Sequence, residues 1–321
     1  MKKHFKFSVC IWTAILFFVA SNAKAYSLDE ENPSKFPNLW RNVEQLESEG
    51  LYREALKQVN AIFDLATTEK VHDQVIKSVM YELKYNSFLE EDDYILGIAR
   101  LESLINQVPS PSKEILHSLL AEVYWGYYSA NSWSFSERTE VVEVDLKDVR
   151  TWDLKRLAVK IRFHYGMSLQ NAAVLQGKPI DAYPVIIGEG RNDEGIRPTL
   201  YDFLAHRAFD FFQSTTFPLA GPAETFVLDD PSYFKSTTTF LNTNAATTDS
   251  LNTRFLAMRV LHALTSFHYH NDNKKALFYL ELDRLDFVKL YGTMADKDAL
   301  YYEALEKLAD AYKAHDFASE A

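Results

Sequence analysis

Apolar residues recur every three or four positions along most of the chain, which is the spacing that places side chains on one face of an α-helix. The richest stretch is 197–212. Its apolar residues form one broad face of the helix, and some of them extend this face into a second apolar stripe. They are Leu200, Tyr201, Phe203, Leu204, Ala205, Ala208, Phe209, Phe211 and Phe212. Thr199 and Asp202 match the capping box that begins many helices. Because a surface helix needs only one apolar stripe, we expect this helix to lie centrally among other helices.

Two helices joined by a glycine are predicted where the periodic pattern begins. The first covers 36–49, Gly50 ends it, and the second opens with Leu51-Tyr52-x-x-Ala55-Leu56. This helix–glycine–helix unit resembles a tetratricopeptide hairpin. A similar pair follows at 75–88 and 94–104, but its turn at Asp92 lies 42 residues after Gly50, whereas the ideal repeat is about 34 residues. The pattern predicts a divergent tetratricopeptide-like array.

The same periodicity predicts five further helices, at 112–129, 151–175, 251–269, 274–291 and 298–315. We therefore expect an all-α fold, an α-solenoid of antiparallel helix hairpins. The array covers 26–213, and the hairpins at 249–321 continue it in the same domain. The last predicted helix presents an apolar face that no polar capping helix follows: Tyr301, Leu305, Leu308 and Tyr312. This face favours a longer parent polypeptide.

Two connecting segments lack the helical period. Residues 131–149 are predicted to be irregular, with Trp133 and Phe135 packed back on the helices and a short strand at 141–144. Residues 214–248 are rich in Thr, Ser, Asn and Pro, which favours a surface excursion. We expect this excursion to be anchored by its apolar residues, which are Phe226, Tyr233 and Phe234.

The N-terminus has the three parts of a secretory signal peptide. Lysines 2, 3 and 6 precede an uncharged apolar run at 7–20, and Ala23-Lys24-Ala25 supplies a small-residue cleavage pattern. We expect cleavage after about Ala25 and an exported protein, periplasmic or extracellular. Cys10 lies at the front of the apolar run, where a lipid-anchoring cysteine would not lie. No later run approaches the length of a membrane span, so we predict no integral span after cleavage.

Removal of this peptide also removes the one cysteine of the chain, so stability must come from packing and not from disulfides. The leader 1–25 contains four lysines and no acidic residue, so its loss changes the net charge from −11 to −15. An acidic balance of this size disfavours nucleic acids and anionic membranes as partners.

Three groups of polar residues contain side chains that can bind metals or transfer protons. His262, His268 and His270 lack the spacing of metal ligands, and the last two match a helix C-terminus, where histidines meet the helix dipole favourably. Residues 90–93, Glu-Glu-Asp-Asp, lack the alternating ligands and the glycine of a calcium loop, and a solvated turn is favoured.

The third group is Asp202, His206 and Asp210, which share one helix face at intervals of four residues. This spacing suits proton transfer or metal binding, but a buried polar seam held by Arg207 or by the backbone of a neighbouring helix is favoured.

Aromatic residues near 130 form a fourth candidate, a ligand platform: Trp125, Tyr127, Tyr128 and Trp133. A core cluster is the favoured interpretation, because the whole chain is rich in aromatic residues. The mature chain has no cysteine nucleophile, no phosphate-binding glycine loop and no Gly-x-Ser-x-Gly motif. We therefore predict a protein that is not an enzyme, with no catalytic residue, no cofactor and no metal.

Several stretches carry a family resemblance. They are HSLLAEVYWGYY at 117–128, Arg138-Thr139, Thr151-Trp152-Asp153-Leu154 and RPTLYDFLAH at 197–206. Together they resemble the N-terminal helical segment of large bacterial alpha-2-macroglobulin-like proteins, from about Trp40 to the last residue. The resemblance implies an exported parent that is classed as an endopeptidase inhibitor. The reactive Gly-Cys-Gly-Glu-Gln stretch of that family is absent from this sequence, so the resemblance assigns no site residue.

Three functions follow from these observations. The first is a non-catalytic, protein-binding scaffold within an alpha-2-macroglobulin-like parent, whose partners would be proteases or envelope proteins. The second is a freestanding exported solenoid that binds a peptide or assembles a cell-envelope complex. The third, and the weakest, is an enzyme with a carboxylate–histidine site around His206.

Overall fold

A computed structural model describes residues 35–90, 93–136, 148–187, 195–214, 226–243 and 252–320, together with 245, 247 and 249. Across these ranges the protein consists of helices and connecting turns without any strand, which confirms the predicted all-α class. The α-helices are α1 (Phe36–Ser48), α2 (Tyr52–Glu69), α3 (His72–Leu89), α4 (Asp93–Ile105), α5 (Ser112–Ser136), α6 (Leu154–Met167), α7 (Ala172–Gln176), α8 (Leu200–Gln213), α9 (Thr237–Leu241), α10 (Thr253–His270), α11 (Lys274–Tyr291) and α12 (Lys297–Tyr312).

These helices belong to two compact units. The first unit lies within Met1–Arg191 and contains α1–α7, and the second lies within Asn192–Ala321 and contains α8–α12. The predicted signal peptide and the predicted strand at 141–144 lie outside the described residues. The domain limits predicted from the sequence, at 26–213, 214–248 and 249–321, stay predictions.

In the first unit, helices that follow one another along the chain pack together. The main contacts join α1 to α2, α2 to α3, α4 to α5 and α5 to α6. Gly50 ends α1 in the left-handed conformation, with φ of +74°. The Leu51 amide donates to the Leu46 carbonyl at 2.9 Å and the Gly50 amide donates to the Glu47 carbonyl at 3.0 Å, which is the hydrogen-bond pattern of a glycine-terminated helix. The predicted turn at Gly50 is therefore confirmed.

Polar side chains also join α1 to α3. The indole nitrogen of Trp40 donates to Oε1 of Gln74 at 2.7 Å, within a buried environment. The hydroxyl of Tyr85 donates to Oε2 of Glu47 at 2.9 Å, and Lys84 pairs with the same carboxylate. Because these partners lie more than thirty residues apart, they hold two helices that α2 separates along the chain.

Two details of the first unit differ from the sequence predictions. Helix α5 continues to Ser136, past a non-helical residue at Asn131, where an irregular segment was predicted. Phe135 is buried as expected, but the side chain of Trp133 is 71% exposed, where a packed side chain was expected. The helix predicted over 151–175 is interrupted after Met167 by a turn that leads into the short α7.

In the second unit, α8 packs on α10, α10 on α11 and α11 on α12. Thr199 and Asp202 form the predicted capping box, in which the Asp202 amide donates to the threonine hydroxyl and the Thr199 amide donates to the aspartate. Most of α8 is buried on both stripes, including Leu204, Ala208 and Phe211. The predicted burial of this helix is confirmed.

The segment before α10 is anchored through the three apolar residues that the sequence indicated. Phe226, Tyr233 and Phe234 are all buried. The segment is more regular than predicted, since it contains a 3₁₀ turn at Pro231–Phe234 and the short helix α9. Ser236 caps α9 by accepting from the Thr239 amide, so a serine- and threonine-rich stretch forms a helix where an excursion without helix was expected.

A buried ion pair on α11 fastens this segment. Arg284 is 1% exposed and pairs with Glu281, also buried. The guanidinium donates to the carbonyl of Tyr233 through Nη1 and to the carbonyl of Lys235 through Nη2, the latter at 2.9 Å. Thr237 donates its hydroxyl to the other oxygen of Glu281 at 2.7 Å. One ion pair therefore fixes the position of the backbone on both sides of Ser236.

The apolar face of α12 lies partly against α11. Ala304 and Leu308 are buried, and the ring of Tyr312 lies 5.4 Å from that of Phe278, centroid to centroid. Tyr302, on another side of the helix, is 60% exposed. Among the helices that the structure describes, none combines the length and the apolar character needed to cross a membrane.

Candidate functional site

Helix α6 carries the surface feature that most resembles a binding site. Asp153 caps this helix by accepting a hydrogen bond from the Arg156 amide at 2.7 Å. Its inner stripe is buried against α5 and consists of Leu157, Ala158, Ile161, His164 and Tyr165. Because the helix repeats every 3.6 residues, the positions between these turn outward. They expose Val159 and Phe163, whose exposed fractions are 40% and 52%.

A shallow, open groove of about 620 Å³ runs along this outer face. Its described lining residues are Asp153, Lys155, Arg156, Val159, Lys160 and Phe163. This volume lies within the range of ligand-sized clefts, and the groove surface is mainly apolar with charged groups at its edge. Such a lining suits a segment of polypeptide better than a small polar substrate.

The charge of α6 is opposite to that of the whole chain. Between Leu154 and Met167 the helix contains Lys155, Arg156, Lys160 and Arg162 and no Asp or Glu. The Lys160 ammonium lies 3.9 Å from the carboxylate of Glu102 on α4 and 5.7 Å from the ring centroid of Trp152. Lys155 is exposed, and Arg156 is half-buried at the groove. The groove therefore combines an apolar floor with a basic edge.

Beneath Phe163, two histidines form a buried pair. Nδ1 of His117, on α5, lies 2.9 Å from Nδ1 of His164, so one ring donates to the other. Both side chains are buried, and neither Nε2 atom has a hydrogen-bond partner within the described residues. The edge of Phe163 meets both rings at centroid distances of 6.5 and 5.1 Å.

Burial keeps both histidines neutral. Burial, together with a smaller effect of the charge of Lys113, lowers the pKa of His117 to about 4. Burial also lowers the pKa of His164 to about 3, with added repulsion from His117 and Lys160. A neutral pair with one shared hydrogen bond is the expected result, because desolvation penalises the charged imidazolium.

The polar seam predicted on α8 exists, and its groups bind one another. Oδ1 of Asp202 accepts from Nε2 of His268 at 2.5 Å, and its Oδ2 accepts from the Thr199 hydroxyl at 2.7 Å. Nδ1 of His206 donates to the Asp202 carbonyl at 2.8 Å. Asp210 is exposed and accepts from Gln213 at 3.2 Å.

Asp202 and His206 form the buried polar seam that the sequence favoured, but the partner from a neighbouring helix is the side chain of His268 on α10 and not a backbone group. Asp210 lies at the surface, outside the buried part of the seam. His206 Nε2 lies 3.7 Å from Oδ2 of Asp283 on α11. Burial and the charge of Arg197 lower the pKa of His206 to about 4, so its imidazole is neutral at physiological pH. The seam joins α8 to α10, and its inward-facing polar groups hydrogen-bond to one another.

The three histidines weighed as metal ligands point to separate partners. His268 binds Asp202, His262 donates to the Leu241 carbonyl at 3.0 Å, and His270 donates to the Ser266 carbonyl at 2.6 Å. Across the described ranges, no three histidine, cysteine or acidic side chains converge in the manner of metal ligands. Of the acidic turn at 90–93, Glu90 is exposed and Asp93 begins α4, while 91 and 92 lie outside the described residues.

The aromatic group near 130 is divided between core and surface. Tyr127 and Tyr128 are buried and meet Phe135 at centroid distances of 6.1 and 5.8 Å. Trp133 is exposed, so the four aromatic residues do not form one platform. The core interpretation applies to the two tyrosines.

Sequence reasoning missed the α6 groove and the histidine pair. The groove had a local pattern, because Val159 and Phe163 lie out of phase with the inner stripe in a helix without acidic residues. The pair had none, since His117 and His164 lie 47 residues apart.

Compared with protein-family models, curated proteins and solved structures, the chain shows no match. The fold and the groove thus define an all-helical protein with a peptide-sized, basic surface groove. The resemblance to alpha-2-macroglobulin-like proteins stays a prediction.

Proposed function

We propose that this protein is a non-catalytic helical scaffold that binds a segment of another protein in the groove of α6. The observation that carries the proposal is the exposed pair Val159 and Phe163, one helical turn apart on the floor of the groove. Exposed apolar residues that line a cleft and have charged groups at the edge are typical of protein-binding surfaces.

We further propose that the helices form a divergent, tetratricopeptide-like α-solenoid in the N-terminal part of an exported alpha-2-macroglobulin-like protein. Support comes from the four sequence stretches that carry the resemblance. The α1–α2 hairpin adds to it, since Gly50 occupies the turn and Ala55 is fully buried. Endopeptidase inhibition would then belong to the parent protein. A freestanding exported solenoid would use the same groove.

Site-specific photo-crosslinking tests the scaffold proposal. The full chain would carry p-benzoylphenylalanine in place of Val159 and would be irradiated in its native cells. We expect one discrete adduct, identified by mass spectrometry, that excess unmodified chain suppresses. The adduct should also weaken when Phe163→Ala is added, because that change removes part of the groove floor.

The matched control places the same photoreactive residue at Gln58, an exposed position of α2. The scaffold proposal predicts no corresponding adduct from this position. If position 159 gives no adduct, or if positions 58 and 159 give the same adducts, the α6 face is not a specific protein-binding surface.

A further inference from the structure

We propose that the occupant of the α6 groove is a short acidic segment of a partner protein that also carries aliphatic or aromatic side chains. The inference rests on the proposed function and names the chemistry of its partner. It follows from the combination of a basic edge and an apolar floor on one helix face.

The basic edge selects for carboxylates. Lys155 and Arg156 lie at the N-terminal end of the groove and Lys160 lies one turn further, so three cationic groups line about two helical turns. Of these, Lys160 has Glu102 as a neighbour at 3.9 Å, a separation at which a further carboxylate can still be attracted. In a chain whose net charge is −11, this helix is a local region of positive potential.

The apolar floor requires that the segment also bring hydrophobic side chains. Val159 and Phe163 keep large exposed fractions although the rest of α6 packs against α5. On its buried side, Phe163 already packs nearly perpendicular to the rings of His117 and His164, and this contact limits its movement. Its other side is therefore held in position to receive an apolar side chain.

An acidic peptide fits this surface better than a lipid bilayer or a nucleic acid. Bilayers and nucleic acids are extended polyanions, and most of the surface that they would meet belongs to a chain with a strong negative charge. A short segment responds mainly to charges within the Debye length, about 8–10 Å at physiological ionic strength.

Selection from a random peptide library tests the charge of the occupant. Peptides would be selected on the full chain and counter-selected on the Val159→Ala/Phe163→Ala variant, which changes the floor but leaves the charges intact. Circular dichroism would check that this variant folds, and Val159→Ala alone would replace it if it does not. We expect the groove-dependent peptides to be enriched in Asp and Glu together with Leu, Ile, Phe or Tyr.

Titration of the enriched peptides then tests the basic edge. Lys155→Glu/Arg156→Glu should raise Kd by about tenfold, since two attractive charges become repulsive. The matched control is Arg53→Glu/Lys57→Glu on α2, which reverses two exposed charges four residues apart and should change Kd by about twofold or less. Higher salt should weaken wild-type binding more than that of the Lys155→Glu/Arg156→Glu variant.

The outcomes separate the two proposals. Groove-dependent peptides without an excess of acidic residues would overturn the acidic partner and leave the scaffold standing. A library with no groove-dependent peptide would overturn peptide binding at α6 itself. If phosphatidylserine vesicles bind the wild type and lose binding in Lys155→Glu/Arg156→Glu, while no peptide is selected, the groove serves a lipid surface and both proposals fail.

Discussion

Two buried polar pairs, one in each unit, meet the cost of desolvation in different ways. In the first unit, His117 and His164 share one hydrogen bond, stay neutral, and leave both Nε2 atoms without a partner within the described residues. In the second unit, Glu281 and Arg284 are as deeply buried but form an ion pair, and carbonyl oxygens and the Thr237 hydroxyl add hydrogen bonds to it. Only Nε of this arginine lacks a hydrogen-bond partner within the described residues.

This difference follows from the chemistry of the groups. A buried histidine avoids the cost of desolvating a charge by losing its proton, so burial lowers its pKa. Arginine cannot lose its proton in this way, so its burial must be offset by partners. The histidine pair should therefore respond to pH, whereas the arginine cluster should respond to the loss of a partner.

The largest effect is expected from Arg284→Ala. The change leaves the Glu281 carboxylate buried without its counter-charge and removes the donors to two carbonyls, so we expect a loss of about 3–5 kcal/mol in the free energy of unfolding. Urea unfolding followed by far-UV circular dichroism measures it. Hydrogen exchange should also accelerate in residues 231–241.

Arg259→Ala is the matched control for this change. Arg259 is an exposed arginine of α10 in the same unit, and its guanidinium carbon lies 5.9 Å from the ring centroid of Phe255. Its replacement should change stability by about 0.5 kcal/mol or less. Equal effects of the two substitutions would show that the buried pair does not fasten the segment before α10.

The second effect concerns pH and the histidine pair. The folded pKa values, about 4 and about 3, lie below the unfolded value of 6.5, so the unfolded chain binds more protons in acid. Stability is therefore lost as the pH falls below 6.5, by about 2 kcal/mol per histidine between pH 7 and pH 5. Tryptophan fluorescence during urea unfolding follows the first unit, because Trp40, Trp125 and Trp152 lie there.

Replacement of both rings isolates this contribution from other titrating groups. His117→Leu/His164→Phe removes the titration and the unpaired nitrogen atoms together, which is less costly than the removal of one partner. Its stability should depend less steeply on pH than that of the wild type over the same interval. Parallel pH profiles for the two proteins would refute the assignment.

The smallest effect is expected from Thr237→Val. The substitution removes one hydrogen bond to Glu281 while keeping the shape of the side chain, and the ion pair with Arg284 remains. We expect a loss of about 1–2 kcal/mol, measured as for Arg284→Ala. A loss as large as that of Arg284→Ala would mean that the hydroxyl, and not the guanidinium, keeps the carboxylate satisfied.

The local spacing of apolar residues predicted most of the helices but few of the polar contacts between them. The glycine turn at Gly50, the capping box of Thr199 and Asp202, and the burial of α8 depend on residues that are close in sequence, and all are confirmed. The same local reasoning was wrong about residues 132–136, which are helical after the kink at Asn131, where an irregular segment was expected.

The polar contacts could not be found by such reasoning. His268 reaches Asp202 across 66 residues, and Arg284 reaches Tyr233 across 51, so neither pairing leaves a local pattern. The predictability of the α6 groove from sequence lies between these two cases. Its residues are neighbours in sequence, but their exposure depends on which face of α6 packs against α5.

The Arg284 contacts have a consequence for sequence variation. Arg284 holds the segment through the carbonyl oxygens of Tyr233 and Lys235, which every amino acid possesses. Many residues can therefore replace the exposed Lys235, and its backbone carbonyl will still accept the hydrogen bond. At position 284, no other amino acid supplies the same planar set of donors. In a saturation mutagenesis experiment, position 235 should tolerate almost any residue and position 284 almost none.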